Sequence, residues 1–230
     1  MKRIGLLGGM SWESTLEYYR IINETVKRIL GETHSAECLI YSVDFDPLEE
    51  MQHRGAWSEI AALLTDRAVR LREAGAELLV LCTNTMHRVA EEIQAGSGMD
   101  LLHIADVTAA AIHGRGLRRV GLLGTRFTME EDFYKGRLER SGISVAIPTK
   151  NRREEVHRVI YRELCLGKIE ERSRRLFLDV VGELVADGAE GVVLGCTEIP
   201  LLVKEEHSPI PLFDTTAVHA RAAVERALRP

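Results

Sequence analysis

Residues 3–11 read RIGLLGGMS, and residues 119–128 read RVGLLGTRFT. Each starts with arginine, runs through a short apolar segment and breaks at glycine just before a hydroxyl residue able to cap a helix. That is how a buried parallel strand turns into a helix. One such segment would be unremarkable, but two others recur in the same order. GAELLVLCTN at 75–84 is answered by GAEGVVLGCTE at 188–198, and LHIADVTAAA at 102–111 by PLFDTTAVHA at 211–220, which aligns Asp106 with Asp214. The offsets are 116, 113 and 108 residues, so the chain is written twice. The expected fold is α/β, with two pseudo-symmetric lobes, each a parallel sheet flanked by helices. The first lobe covers residues 1–105 and is joined by a C-terminal helix over 215–230; the second covers 106–214.

Between these landmarks the pattern gives further elements. Ser11 caps a helix whose apolar face is read as Leu16, Tyr19, Ile22, Val26 and Ile29. CLIYSV at 38–43 is a second strand, a helix runs from about Ser58 to Ala74 and stops at Gly75, and ELLVLC at 77–82 is a third strand. At 230 residues and 45% hydrophobic content the chain can bury a large core. Its 30 basic and 35 acidic residues give a net charge of −5, which argues against nucleic acid and an anionic membrane as partners. The basic stretches NRREE (151–155) and ERSRR (171–175) are mixed with acids and read as solvated helix faces. The apolar segment at the N-terminus is too short for a signal sequence or a membrane span, so a cytoplasmic protein is expected. Its four cysteines, Cys38, Cys82, Cys165 and Cys196, should then be free thiols.

No CxxC pair and no zinc-ligand cluster occurs, so no metal is expected. GLLGGM does not fit GxGxxG, GSGMDL lacks the third glycine, and GxxxxGK[ST] is absent. No lysine stands in a context that marks a pyridoxal phosphate site, and no cofactor is expected. The chemistry must come from the two cysteines that share a context, Cys82 and Cys196. Open α/β sheets bind ligands at the carboxyl ends of their strands, where both cysteines stand. Two related lobes facing one another across a cleft would bring the thiols to a shared small molecule from opposite sides. One thiolate would remove a proton from a stereocentre and the other thiol would return one to the opposite face. A helix N-terminus after each cysteine is expected to favour the thiolate. Thr83, Asn84 and Thr85 after the first cysteine, and Thr197 and Glu198 after the second, offer amides and side chains to a substrate carboxylate and ammonium. His87 stands five residues after Cys82 and is read as a helix-surface residue.

GLLGGMSWEST (5–15), LVLCTNTMH (79–87), GLLGTRFTMEEDFY (121–134) and LGCTEIPLL (194–202) together resemble the aspartate/glutamate racemase family, cofactor-independent enzymes with two cysteines. The likeness covers essentially the whole chain. With YSVDF (41–45), ELCLG (163–167) and FDT (213–215), it is closest to the broad-specificity amino-acid racemase branch. The resemblance implies a two-lobed isomerase, often a homodimer, with Cys82 and Cys196 as general base and acid. It also implies that Met10, Gln52, Thr83, Asn84, Thr85, Cys165, Thr197 and Glu198 contact an amino-acid substrate. Members selective for aspartate carry an arginine after the second strand and a lysine just before the glycine equivalent to Gly167. Here those regions read DFDPLEEMQ (44–52) and LCLGK (164–168), with Cys165 in place of the lysine. Without those cations a side-chain carboxylate loses its charge-assisted partners, so the expectation is broad specificity toward neutral amino acids. The alternatives are an aspartate- or glutamate-selective racemase and a non-catalytic, two-lobed amino-acid-binding module.

Overall fold

Every residue of the first strand, β1 (Ile4–Gly8), is buried, as a strand covered on both faces must be. The computed structural model describes residues 1–229. The chain forms two compact units, residues 1–103 with 219–229, and residues 104–218.

In the first unit β1 leads through α1 (Trp12–Leu30) to β2 (Cys38–Ser42). The chain then passes through α2 (Phe45–Arg54) and α3 (Trp57–Glu73) to β3 (Leu78–Leu81), and through α4 (Ala90–Ser97) to the short β4 (Asp100–Leu101). All pairings are parallel, in the order β2-β1-β3-β4. Because β2 and β3 lie on opposite sides of β1, right-handed crossovers send α1 and α3 to opposite faces of the sheet. On the α3 face Leu7, Leu79 and Leu81 pack in one cluster with Ile60, Leu64, Leu71, Met86 and Ile93. Strand alternation directs Leu6, Leu78 and Val80 to the other face, where α1 buries Tyr18, Ile22 and Val26. Gly9, just past β1, has φ +91° and faces the Val43 backbone so closely that any Cβ would overlap it.

The second unit repeats this arrangement. α5 (Ile104–Gly114) leads into β5 (Arg119–Gly124); α6 (Arg126–Glu130) and α7 (Lys135–Arg140) precede β6 (Ser144–Ala146). α8 (Lys150–Arg162) and α9 (Glu171–Ala186) lead to β7 (Gly191–Gly195), and α10 (Ile199–Leu202) to β8 (Leu212–Asp214). The parallel order is β6-β5-β7-β8. The repeated segments therefore take equivalent places: β1 and β5 centrally, β3 and β7 beside them, β4 and β8 at the edge. The expected α/β class with a parallel sheet in each half holds. No helix among the described residues is long and apolar enough to cross a membrane.

Two local expectations fail. Ser11 does cap α1, accepting from the Ser14 amide at 3.4 Å, but the buried face of α1 is rotated from the one read in the sequence. Ile22 and Val26 are buried together with Tyr18, Ile21 and Thr25, while Leu16, Tyr19 and Ile29 are exposed. α1 carries apolar residues around much of its circumference, so periodicity alone does not choose the face; small Ser14, Thr15 and Thr25 allow the approach to the sheet. The third strand ends at Leu81, which leaves Cys82 just beyond it.

The final helix, α11 (Thr215–Leu228), supplies His219 to a buried network of the first unit. His219 Nε2 lies 2.8 Å from the Leu102 carbonyl, which can only accept, so this nitrogen carries the proton. Nδ1 is then the acceptor for the Tyr18 hydroxyl at 2.9 Å. His87 lies against both His103 and His219, with ring centroids 4.6 and 5.6 Å apart. Burial drives the His219 pKa down to about 4, and burial together with the other two histidines drives that of His87 well below its ordinary value. The unfolded chain therefore binds more protons than the folded one between pH 6.5 and about 4. Stability contributed by these neutral histidines is complete above pH 6.5 and is lost as pH falls through that window. Urea unfolding at pH 7.5 and at pH 5 should show a lower unfolding free energy at the acid pH. His219 alone would contribute about 3 kcal/mol over its full window, and His219→Gln should flatten the dependence; an unchanged slope in that variant would contradict the assignment.

Candidate active site

The first cysteine is held by an extension of the β-ladder. Leu7 pairs with Leu81 in the β1–β3 register, and the Cys82 amide then donates to the Leu7 carbonyl at 2.9 Å. This carries the β1–β3 pairing one residue beyond β3 and fixes the residue at which the chain turns. The side chain of Cys82 is fully buried, and its Sγ lies 3.6 Å from the Val80 carbonyl. The turn that follows is buried too, with Thr83, Asn84 and Thr85 each at most 6% exposed. A short 3₁₀ helix, Thr85–Val89, then leads into α4.

His87 sits in that 3₁₀ helix and is buried, not on a helix surface as its sequence context indicated. A regular helix could have placed it outward; the tighter turn directs its Nδ1 back to the Thr83 carbonyl at 2.7 Å. The carbonyl accepts, so Nδ1 is the protonated nitrogen. His87 thereby fastens the residue that follows Cys82. Sequence reasoning missed His103, His219 and Tyr18 because their contacts with one another and with His87 close over long stretches of chain, and no local motif marks them.

Met10 and Gln52 lie in the same unit. Met10 is buried in the cluster on the α3 face. Gln52, which follows the second strand, is in α2 and only 2% exposed. Its Nε2 lies 3.6 Å from Met86 Sδ, in the 3₁₀ segment after Cys82. A polar amide buried at this depth belongs to a built environment rather than to loop surface.

In the second unit Cys196 follows β7, whose residues pair with β5 as far as Gly124 with Gly195. Its Sγ–H donates to Glu198 Oε2 at 2.8 Å, and the Thr197 hydroxyl donates to the same oxygen at 3.0 Å. All three residues are buried. Glu198 is the N-cap position of α10, and the Thr215 hydroxyl at the start of α11 donates to the Leu194 carbonyl at 2.8 Å, tying β7 to the following segment. Cys165 lies in a 3₁₀ turn, Leu164–Leu166, that ends at left-handed Gly167, and it is half-buried.

The expectation that helix N-termini lower the thiol pKa values is overturned. Burial, the largest cause in each case, raises both well above the ordinary thiol value, and for Cys196 the Glu198 carboxylate adds to the rise. The physical reason is visible in the elements. The segment after Cys82 begins as a five-residue 3₁₀ helix and that after Cys196 as a four-residue α-helix, so little aligned dipole opposes complete desolvation. Both cysteines therefore rest as thiols, and a base is needed to create a thiolate. Glu198 is placed to accept that proton from Cys196; Cys82 faces a neutral carbonyl. Among the described residues no group of three or more His, Cys, Asp or Glu could hold a metal ion.

Comparison with known proteins agrees with this architecture. The Asp/Glu/Hydantoin racemase family profile matches residues 7–223. The broad specificity amino-acid racemase RacX of Bacillus subtilis is 25% identical over 230 residues, covering 98% of each chain. A solved structure from Yersinia pestis, assigned to the Asp/Glu racemases, is 53% identical with a TM-score of 0.92 and full coverage of both chains. That of an aspartate racemase homologue from Pyrococcus horikoshii is 35% identical with a TM-score of 0.85, again over both whole chains. With the profile spanning nearly its whole length and these relatives aligning from end to end, this chain belongs to the Asp/Glu/hydantoin racemase family and is an isomerase of the amino-acid racemase type.

Proposed function

We propose that this enzyme inverts Cα of amino acids without a cofactor, using Cys82 and Cys196 as the general base and acid for opposite faces of one substrate. The observation that carries the reading is the equivalent placement of the two thiols, each at the residue following an equivalent strand, β3 and β7, of a duplicated fold. Thr83, Asn84, Thr85 and Thr197 are proposed to hold the substrate's carboxylate and ammonium, with Met10, Gln52 and Cys165 bounding the pocket. Four free cysteines fit a reducing compartment, and we assign the enzyme to the cytoplasm.

Glu198 is proposed to start the reaction. It takes the Cys196 proton along the existing hydrogen bond, and the thiolate formed removes the Cα proton from its face of the substrate. The Cys82 thiol then donates to the opposite face. The proton balance closes: Cys196 regains a proton from Cα, Cys82 is left as thiolate, and the Glu198 proton or solvent restores it. In the opposite direction Cys82 is the base and Cys196 the acid. The substrate is proposed to be one of several neutral amino acids, because Cys165 brings no positive charge to the pocket.

Cys82→Ser and Cys196→Ser each replace a proton carrier by a far weaker acid of similar size. Each should lower racemisation by at least about 10³-fold with unchanged circular dichroism. Each should keep Cα deuterium exchange in D2O for one enantiomer only, and the two variants should show opposite preferences. Near wild-type racemisation by either folded variant would remove the two-thiol mechanism.

Glu198→Gln keeps a hydrogen-bond acceptor near Cys196 but cannot take its proton. Because the two enantiomers have equal free energy, kcat/KM must fall equally in both directions, by about 10²-fold. The asymmetry should emerge in the isotope effect with Cα-deuterated substrate, which should rise for the enantiomer deprotonated by Cys196 and change little for its mirror image. Equal changes for both enantiomers would mean that Glu198 only supports the fold.

For specificity, the wild-type enzyme should racemise at least one uncharged amino acid with a higher kcat/KM than aspartate. Cys165→Lys should shift that ratio toward acidic substrates. A wild-type profile dominated by aspartate would favour the acidic-substrate alternative.

A further inference from the structure

His87 closes two consecutive carbonyls of the turn that leaves Cys82. Its ring Nδ1–H donates to the Thr83 carbonyl at 2.7 Å, and its backbone amide donates to the Asn84 carbonyl at 3.1 Å. The Thr83 amide is engaged as well, donating to the Leu81 carbonyl at 2.9 Å. The peptides on either side of Asn84 are trans, and a trans peptide is planar with its N–H and C=O pointing in opposite directions. Turning the carbonyls of Thr83 and Asn84 toward His87 therefore turns the amides of Asn84 and Thr85 away from it. A reversed plane at either position would present a carbonyl oxygen where an N–H now stands, and attraction for an anion would become repulsion.

The ring that does this is itself held. It is buried and packs edge-to-face against His103 and His219. His219 is fixed at both nitrogens, by the Leu102 carbonyl and by the hydroxyl of buried Tyr18. Close packing among these rings restricts the imidazole to one orientation. Burying an imidazole costs free energy that an apolar side chain would not, unless its N–H finds an acceptor; here that acceptor is the Thr83 carbonyl. We propose that His87 is a positioning residue for the reaction, setting the peptide planes after Cys82 so that the Asn84 and Thr85 amides, rather than carbonyl oxygens, face the substrate carboxylate. The proposal rests on the reading of Thr83, Asn84 and Thr85 as substrate contacts and adds the residue that keeps their backbone in place. His87 does not touch the reacting atoms, so its effect falls on carboxylate recognition and not on proton transfer.

The test compares two side-chain amides at this position. In His87→Asn the amide nitrogen takes the place of Nδ1 and can still donate to the Thr83 carbonyl; in His87→Gln it lies one bond further, near the place of Nε2, while the side-chain volume stays closer to that of histidine. A packing role favours the glutamine variant, the positioning role the asparagine. With the amino acid that the wild-type enzyme turns over best, His87→Gln and His87→Leu should raise KM about 10-fold or more with a smaller change in kcat, and His87→Asn should stay within about 3-fold of wild type. The second readout is the ratio of kcat/KM for that amino acid to kcat/KM for its primary amide, both followed by Cα deuterium uptake in D2O. The wild type should prefer the acid by about 10²-fold, and His87→Gln and His87→Leu should lose most of that preference, because a reversed plane accepts from a carboxamide. Circular dichroism and urea unfolding check the fold. A glutamine variant as good as the asparagine, an unchanged acid-to-amide ratio in folded His87→Leu, or a wild type indifferent to the exchange of carboxylate for carboxamide would overturn the inference, the last even if no His87 variant folds. Any of these results beside inactive Cys82→Ser and Cys196→Ser would remove the role of His87 and leave the two-thiol mechanism standing, whereas activity in those serine variants would remove the mechanism itself.

Discussion

The hydrogen bond from the Cys82 amide to the Leu7 carbonyl is the constraint on which the first unit's candidate site is built. It belongs to the ladder between β1 and β3, yet it fixes a residue already outside β3. A strand that ends inside a protein must hand its last amides and carbonyls to partners without access to water. Here the ladder itself serves the cysteine, and the His87 ring serves the carbonyl of the next residue. Rigidity at the thiol is therefore a consequence of burying the end of a parallel sheet. It also explains why a histidine five residues downstream is drawn inward: the Thr83 carbonyl needs a donor.

The same burial sets the chemistry. A thiol buried away from water resists ionisation, and the short helices that begin beyond Cys82 and Cys196 have too few aligned peptides to reverse this. A racemase must nevertheless remove a weakly acidic Cα proton. Desolvation makes the thiolate scarce at rest but also more basic and more reactive once formed. Under the proposed mechanism the enzyme solves the scarcity locally, by placing a carboxylate oxygen 2.8 Å from one sulfur.

Much of this was legible in the sequence because it is local and repeated. RIGLLG and RVGLLG, and the two cysteine-bearing runs, predict strands from apolar content and turn residues alone, and their common order predicts the duplicated sheets. What was not legible depended on distant partners. The buried face of α1 is chosen by the fit of Ser14, Thr15 and Thr25 to the sheet, which a count of apolar positions does not register. Gln52 reads as polar surface until α2 buries it against Met86, and His87 until a 3₁₀ turn and residues from the far end of the chain enclose it. The thiol acidity was misread for a related reason: sequence shows where a helix starts, but the balance between its dipole and desolvation needs its length and the burial.

Duplication also exposes where the two halves have diverged. The cysteine, the threonine after it and the strand before it are kept in both units, but the residue two positions after the cysteine is Asn84 in one and Glu198 in the other. Under the proposed mechanism that single difference falls where it bears on proton transfer. Cys82 Sγ is oriented toward the Val80 carbonyl, an acceptor that cannot take a proton, whereas Cys196 faces a carboxylate that can. Two equivalent strand ends thus carry inequivalent thiols. A reaction that is symmetric in free energy between mirror-image substrates is on this reading run by an asymmetric pair, in which the carboxylate prepares one base and the other thiol waits as the acid.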